Sequence, residues 1–174
     1  RPAWRHVRGG GRSVQVILPV VIATLVALSD HRNRTIPNKL SAAMACVALA
    51  VQAMRVWVPE AIARMPLTRA VVAGLAPAGA CVACAAVCLV ALSGVELVRR
   101  AAMGVAGMGM GDVKYLSAWA VLLGPAVLPA AAMAMAAGGL VALARGERDF
   151  ALGPWVSACC LAALLCTGVA GAVG

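Results

Sequence analysis

Acidic residues are scarce in this sequence, six in 174 positions, and charged residues of either sign make up only 12% of it. That is too little charge to coat a core of this size in water, which excludes an ordinary soluble domain. Aromatic residues stand at 3% and do not interleave with basic ones, so the net charge of +9 does not read as a nucleic-acid surface. The basic residues instead flank apolar runs, where Lys and Arg sit at membrane interfaces. No internal repeat and no second domain are visible. Cys81-x-x-Cys84 followed by Cys88 places three thiols on one helical face, but that run holds no histidine. Charged thiolates are costly in hydrocarbon, so these cysteines, like Cys46, Cys159, Cys160 and Cys166, are read as small apolar filler. No metal and no cofactor are expected.

What the chain has in quantity is apolar length. Hydrophobic residues make up 63% of it, and segments 71–95, 115–144 and 150–174 hold no charge. About 20 such residues cross a bilayer core. The first run, 14–29, is closed by Asp30 and followed by a polar loop over 31–39. A second run covers 40–54 and extends toward 58, a proline-punctuated loop covers 59–69, and a third run reaches about 95. A glycine-rich loop is expected over 96–112. Segment 115–144 is too long for one span, and Gly124-Pro125 with Pro129 breaks it near the middle into two short helices. The expected fold is all-α, a polytopic membrane bundle of about six transmembrane helices forming one domain over 14–174. A basic, unstructured tail over 1–13 precedes it, with Arg1, Arg5, Arg8 and Arg12.

With the 31–39 loop in the cytoplasm, the inner face holds Arg32, Arg34, Lys39, Arg99, Arg100, Lys114, Arg145 and Arg148. The outer face holds Arg55, Arg64 and Arg69, and the orientation satisfies the positive-inside rule when the tail arginines are set aside.

Two aspartates differ from the other acids. Glu60, Glu96, Glu147 and Asp149 fall in expected loops, whereas Asp30 and Asp112 each sit where a long apolar run meets a polar loop. Two spans separate them, so both end on the same side of the membrane. An ionisable residue at such a junction is a functional candidate. As helix caps the two are unequal: Asp112 opens a helix, where negative charge is favoured, and Asp30 closes one, where it is not. Hydrolysis by a carboxyl pair needs such asymmetry, one group ionised to activate water and the other protonated to polarise the scissile carbonyl. Asp112 is therefore expected to be the resting base and Asp30 the resting acid, the pair titrating as a unit. Gly107, Gly109 and Gly111 strip side chains from the approach to Asp112.

These residues resemble the type IV prepilin peptidases. Gly109-Met-Gly111-Asp112-Val-Lys114 resembles that family's Gly-x-Gly-Asp-x-Lys signature, and the stretch from Asp30 to Ile36-Pro37-Asn38 resembles its first aspartate motif. Gly153-Pro154 resembles a further Gly-Pro element opening the last helix. The resemblance implies an aspartic endopeptidase that removes the short basic leader of prepilin or pseudopilin substrates. It implies a multi-pass protein of the bacterial cytoplasmic membrane, with its active site facing the cytoplasm. Asp30 and Asp112 carry over as the catalytic pair, with Gly109, Gly111, Lys114, Pro37 and Asn38 as surrounding motif residues. The implied partners are the substrate helix and the lipid bilayer, and no nucleic acid. Larger members carry a cytoplasmic region with paired Cys-x-x-Cys motifs and methylate the new N-terminus. The short loop after Asp30 is similar instead to the small members of tight-adherence pilus systems.

Three other readings compete. Presenilin-like enzymes share Gly-x-Gly-Asp but pair it with Tyr-Asp, whereas Ser29 precedes Asp30 here. A signal peptide cleaved after Ala27-Leu28-Ser29 would strip Asp30 of its helix and leave the basic loop outside. A small transporter or pilus and secretion assembly subunit would use the aspartates as an ion or proton site, although such acids favour mid-bilayer positions.

Overall fold

The computed structural model describes residues 14–57, 59, 75–104, 108–147 and 150–173. The expected tail over 1–13, nearly all of the 59–69 loop, Gly107, Arg148 and Asp149 lie outside the described residues. The described chain forms helices α1 (Val14–Asn33), α2 (Asn38–Trp57), α3 (Ala78–Met103), α4 (Met110–Leu123), α5 (Val127–Arg145) and α6 (Leu152–Val173). A single 3₁₀ turn, Gly124–Ala126, joins α4 to α5. The all-helical membrane bundle expected from the sequence is the fold observed, and the chain is an integral membrane protein by its apolar helices.

Each outer helix turns one stripe inward. On α1 the buried positions are Pro19, Ile22, Ala23, Val26 and Asp30, a helical repeat that leaves Ile17, Leu18, Val21, Leu25 and Leu28 outside. On α2 the inward stripe is Ser41, Met44, Ala48, Val51 and Gln52. On α5 it is Ala130, Ala134, Gly138 and Ala142, every fourth residue small, which lets α6 approach closely. The rings of Phe150 and Trp155 lie where a side chain at Gly138 would be. In water the exposed Leu, Val and Ile would form an unacceptable surface; in lipid they face their own solvent.

α4 is different, because every residue from Tyr115 to Leu123 is buried. It is the central post, with α2 and α3 packed along it and α6 touching it, while α1 packs on α6 and α2. Its far end is sealed by side chains. Gln52 Nε2 donates to the Val121 carbonyl at 2.6 Å, and Arg55 donates to Gln52 Oε1 and to the Ala76 carbonyl. The last carbonyls of a helix have no partner of their own, and buried ones need such donors.

The chain reverses at Gly124, whose φ of +59° and ψ of −139° only glycine adopts freely. A Cβ there would sit 2.9 Å from Cys81 Sγ, so the turn is also too crowded for a side chain. α4 runs away from Asp112 and α5 returns, since Glu147 just beyond α5 lies beside Arg34 of the first loop. The expected break at Gly124-Pro125 is therefore present, and 115–144 forms two helices.

Two boundaries differ from the sequence expectation. The 96–112 loop is shorter, because α3 continues to Met103 and ends on Gly104 in the left-handed conformation (φ +67°). α1 also continues one turn past Asp30 to Asn33. In both cases a helix runs out of its apolar stretch into charged residues, which apolar run length does not register.

Candidate active site

Asp30 and Asp112 lie at the same end of the bundle. Asp30 is carried inward by the α1 stripe and is only 4% exposed. Asp112 sits in the first turn of α4, half-buried. Asp30 Oδ2 accepts a hydrogen bond of 2.8 Å from the backbone N–H of Gly153, in the first turn of α6. A helix N-terminus thus points at the carboxyl that its own helix disfavours. Asp30 therefore stands between two helix ends, the last turn of α1 and the first turn of α6.

Glycines make room for both carboxyls. A Cβ on Gly153 would lie 2.8 Å from Asp30 Oδ2 and 3.0 Å from its Cβ. A Cβ on Gly109 would lie 3.0 Å from Asp112 Oδ2. Gly111 has a different task, since a Cβ there would meet the Ile36 carbonyl oxygen at 2.9 Å. The first loop therefore rests its buried Ile36 directly on the α4 N-terminus. Lys114 Nζ donates to Asn38 Oδ1 at 3.1 Å, joining the two aspartate motifs at their exposed rim. Pro37 is exposed and faces the start of α2, where its carbonyl accepts from the N–H groups of Leu40 and Ser41.

One turn inside the site, Tyr115 and Ser157 share a hydrogen bond of 2.9 Å, and Ser157 Oγ donates to the Ala23 carbonyl at 3.2 Å. This chain ties together the helices that carry Asp112, Gly153 and Asp30. Tyr115 also meets Trp119 edge-to-face at 6.3 Å. Sequence reasoning did not find this tie, although a lone tyrosine three residues after Asp112, inside an apolar run, was a signal that its hydroxyl needs a partner.

Glu96 was likewise expected to be an unremarkable loop acid. It is 3% exposed on α3, paired with Arg100 Nε at 2.6 Å, and accepts from the Met108 N–H at 2.9 Å. It therefore anchors the glycine-rich segment just ahead of Asp112. Glu96→Ala is expected to cost about 1–3 kcal/mol by removing that buried acceptor. Glu96→Gln, still able to accept from Met108, should lose less. Thermal unfolding in detergent micelles reads both, and equal losses would remove the Met108 bond from the account.

Among the described residues no group of three His, Cys, Asp or Glu side chains converges as a metal-holding cluster. What the site offers is two carboxyls at one end of an apolar bundle, one with a backbone donor and each with a glycine packed beside it. In comparisons with known proteins, no curated protein and no solved structure matches the chain. A profile of the type IV leader peptidase family matches residues 17–144, which include both aspartates. That is most of the sequence, and the chain belongs to the type IV leader peptidase family, a family of peptidases.

Proposed function

We propose that this type IV leader peptidase is an aspartic endopeptidase that removes the short basic leader of a prepilin or pseudopilin at the cytoplasmic face of a bacterial inner membrane. The observation that carries the reading is the placement of Asp30 and Asp112, from helices two spans apart, at one end of the bundle, each with a glycine packed against its carboxyl. Nothing in packing requires two acids there, and unpaired like charges in a half-buried site are costly.

The pair holds one proton. The ionised carboxyl takes a proton from water as the water oxygen attacks the scissile carbonyl, and the protonated carboxyl donates to the developing oxyanion. Collapse of the tetrahedral species breaks the C–N bond, and the leaving amine takes up a proton from the pair. Gly109 leaves the Asp112 carboxyl uncovered, and Gly111 lets the first loop rest on the α4 N-terminus. Lys114 and Asn38 hold the two motif segments in register at the rim. The basic residues at this end, including Arg32, Arg34 and Arg145, support a cytoplasmic orientation by the positive-inside rule.

The test is co-expression with a prepilin that retains its leader. Membranes carrying the wild-type chain should convert it to a shorter form whose new N-terminus, read by mass spectrometry, lies at the leader junction. An intact leader beside well-expressed enzyme, across a panel of prepilins and pseudopilins, would sink the reading.

A further inference from the structure

α2 and α3 both pack on α4 but scarcely meet each other. Between them runs an apolar groove of about 530 Å³, floored by α4. From Lys114 to Val121 its floor is about 10 Å long, two turns of helix. We propose that this groove seats the apolar transmembrane helix of the substrate, beginning just after the scissile bond; the inference rests on the peptidase reading above.

Three observations point to a helix as the occupant. Small side chains line much of both walls, Ala42 and Ala45 on α2 and Ala85 and Ala86 on α3, so a backbone can approach closely there, as membrane helices do at their tightest contacts. The mouth is formed by Asn38 and Lys114, the pair that joins the two aspartate motifs, so the groove opens within one turn of Asp112 and descends from there. The third is Ser41, which lines the groove, is 3% exposed, and has a hydroxyl with no partner among the described residues. Serine hydroxyls bridge neighbouring membrane helices, and a docked helix would supply the missing partner. A lipid acyl chain would fill the volume but leave that hydroxyl unpaired.

The test places a photo-crosslinking amino acid at Ala45 or Ala86, with Leu140 on the lipid-facing side of α5 as the control position. A co-expressed prepilin is the probe, in the Asp112→Asn background so that it persists. Capture of the prepilin from Ala45 and Ala86, through residues in the first two turns after its leader, and not from Leu140, is the expected result. Adducts with lipid alone, or equal capture from Leu140, would overturn the proposal. In the otherwise wild-type enzyme, Ala45→Trp should raise KM for the prepilin about 10-fold with kcat within about twofold. The same variant should cleave a short leader-spanning peptide without the apolar helix as well as wild type does. An unchanged KM for the prepilin would count against the groove. The two readings fail separately: capture without any wild-type cleavage removes the peptidase, and cleavage without capture removes the groove.

Discussion

Asp30→Asn and Asp112→Asn are each expected to lower leader cleavage by at least about 10³-fold while the protein still accumulates in the membrane. Asparagine keeps the size of aspartate and, at position 30, an oxygen that can accept from the Gly153 N–H. Packing and the helix ends are therefore retained. What is lost is a group that can take a proton from water or return one to the leaving amine. A remaining single carboxyl has no partner with which to share a proton, so neither variant should retain half of the activity, and the double variant should be little worse than either single one. Single-turnover cleavage of a purified prepilin in detergent, with enzyme in excess, measures this directly. Variants that cleave at near wild-type rates would remove the dyad and return the aspartates to the ion-site reading.

The second large effect is expected at a residue without chemistry of its own. Gly153→Ala places a methyl group 2.8 Å from Asp30 Oδ2 and 3.0 Å from Asp30 Cβ, closer than side chains tolerate. Asp30 is short and anchored on a packed helix, so the carboxyl must move, or α6 must slide away and take its N–H donor with it. Displacement of a reacting group by about 1 Å can cost on the order of 10²-fold, and this loss should fall mainly on kcat. Gly139→Ala is the matched control, since a Cβ there meets nothing within 4 Å. It should leave cleavage unchanged and, if anything, strengthen α5 slightly. Equal losses from the two would show a general sensitivity to alanine and not a role for the Asp30–Gly153 contact.

Asp30 and Asp112 were legible in the sequence because an acid at the edge of an apolar run is rare enough to stand out. The turn at Gly124-Pro125 was legible for a related reason, as a breaker inside a run too long for one span. Gly153 was visible only as part of a resemblance, because its importance lies in what it nearly touches, 123 positions away in the chain. The dipole argument at Asp30 considered only the helix that carries the residue, and the opposing N-terminus of α6 is a tertiary fact. Glu96 and Gln52 were hidden in the same way. Each reads as a polar residue near the end of a run, and each proves to be a buried donor or acceptor serving another segment's backbone. The α2–α3 groove has no sequence signature, since it exists only because two helices lean on a third without closing on each other.

The shortness of the central post has a consequence for where water meets the aspartates. α4 is 14 residues long, about 21 Å, whereas a typical hydrocarbon core measures about 30 Å. With polar ends at Asp112 and at the sealed carbonyls beside Gln52, it does not span the full thickness of lipid. The helices around it run from 19 to 26 residues, so the post is shorter than the shell that faces the lipid. Its first turn can therefore sit below the rim of that shell, where water reaches the half-buried Asp112 without crossing hydrocarbon. The proposed hydrolysis of a membrane-anchored chain would then proceed where its second reactant is plentiful, without lifting that chain's helix out of the lipid.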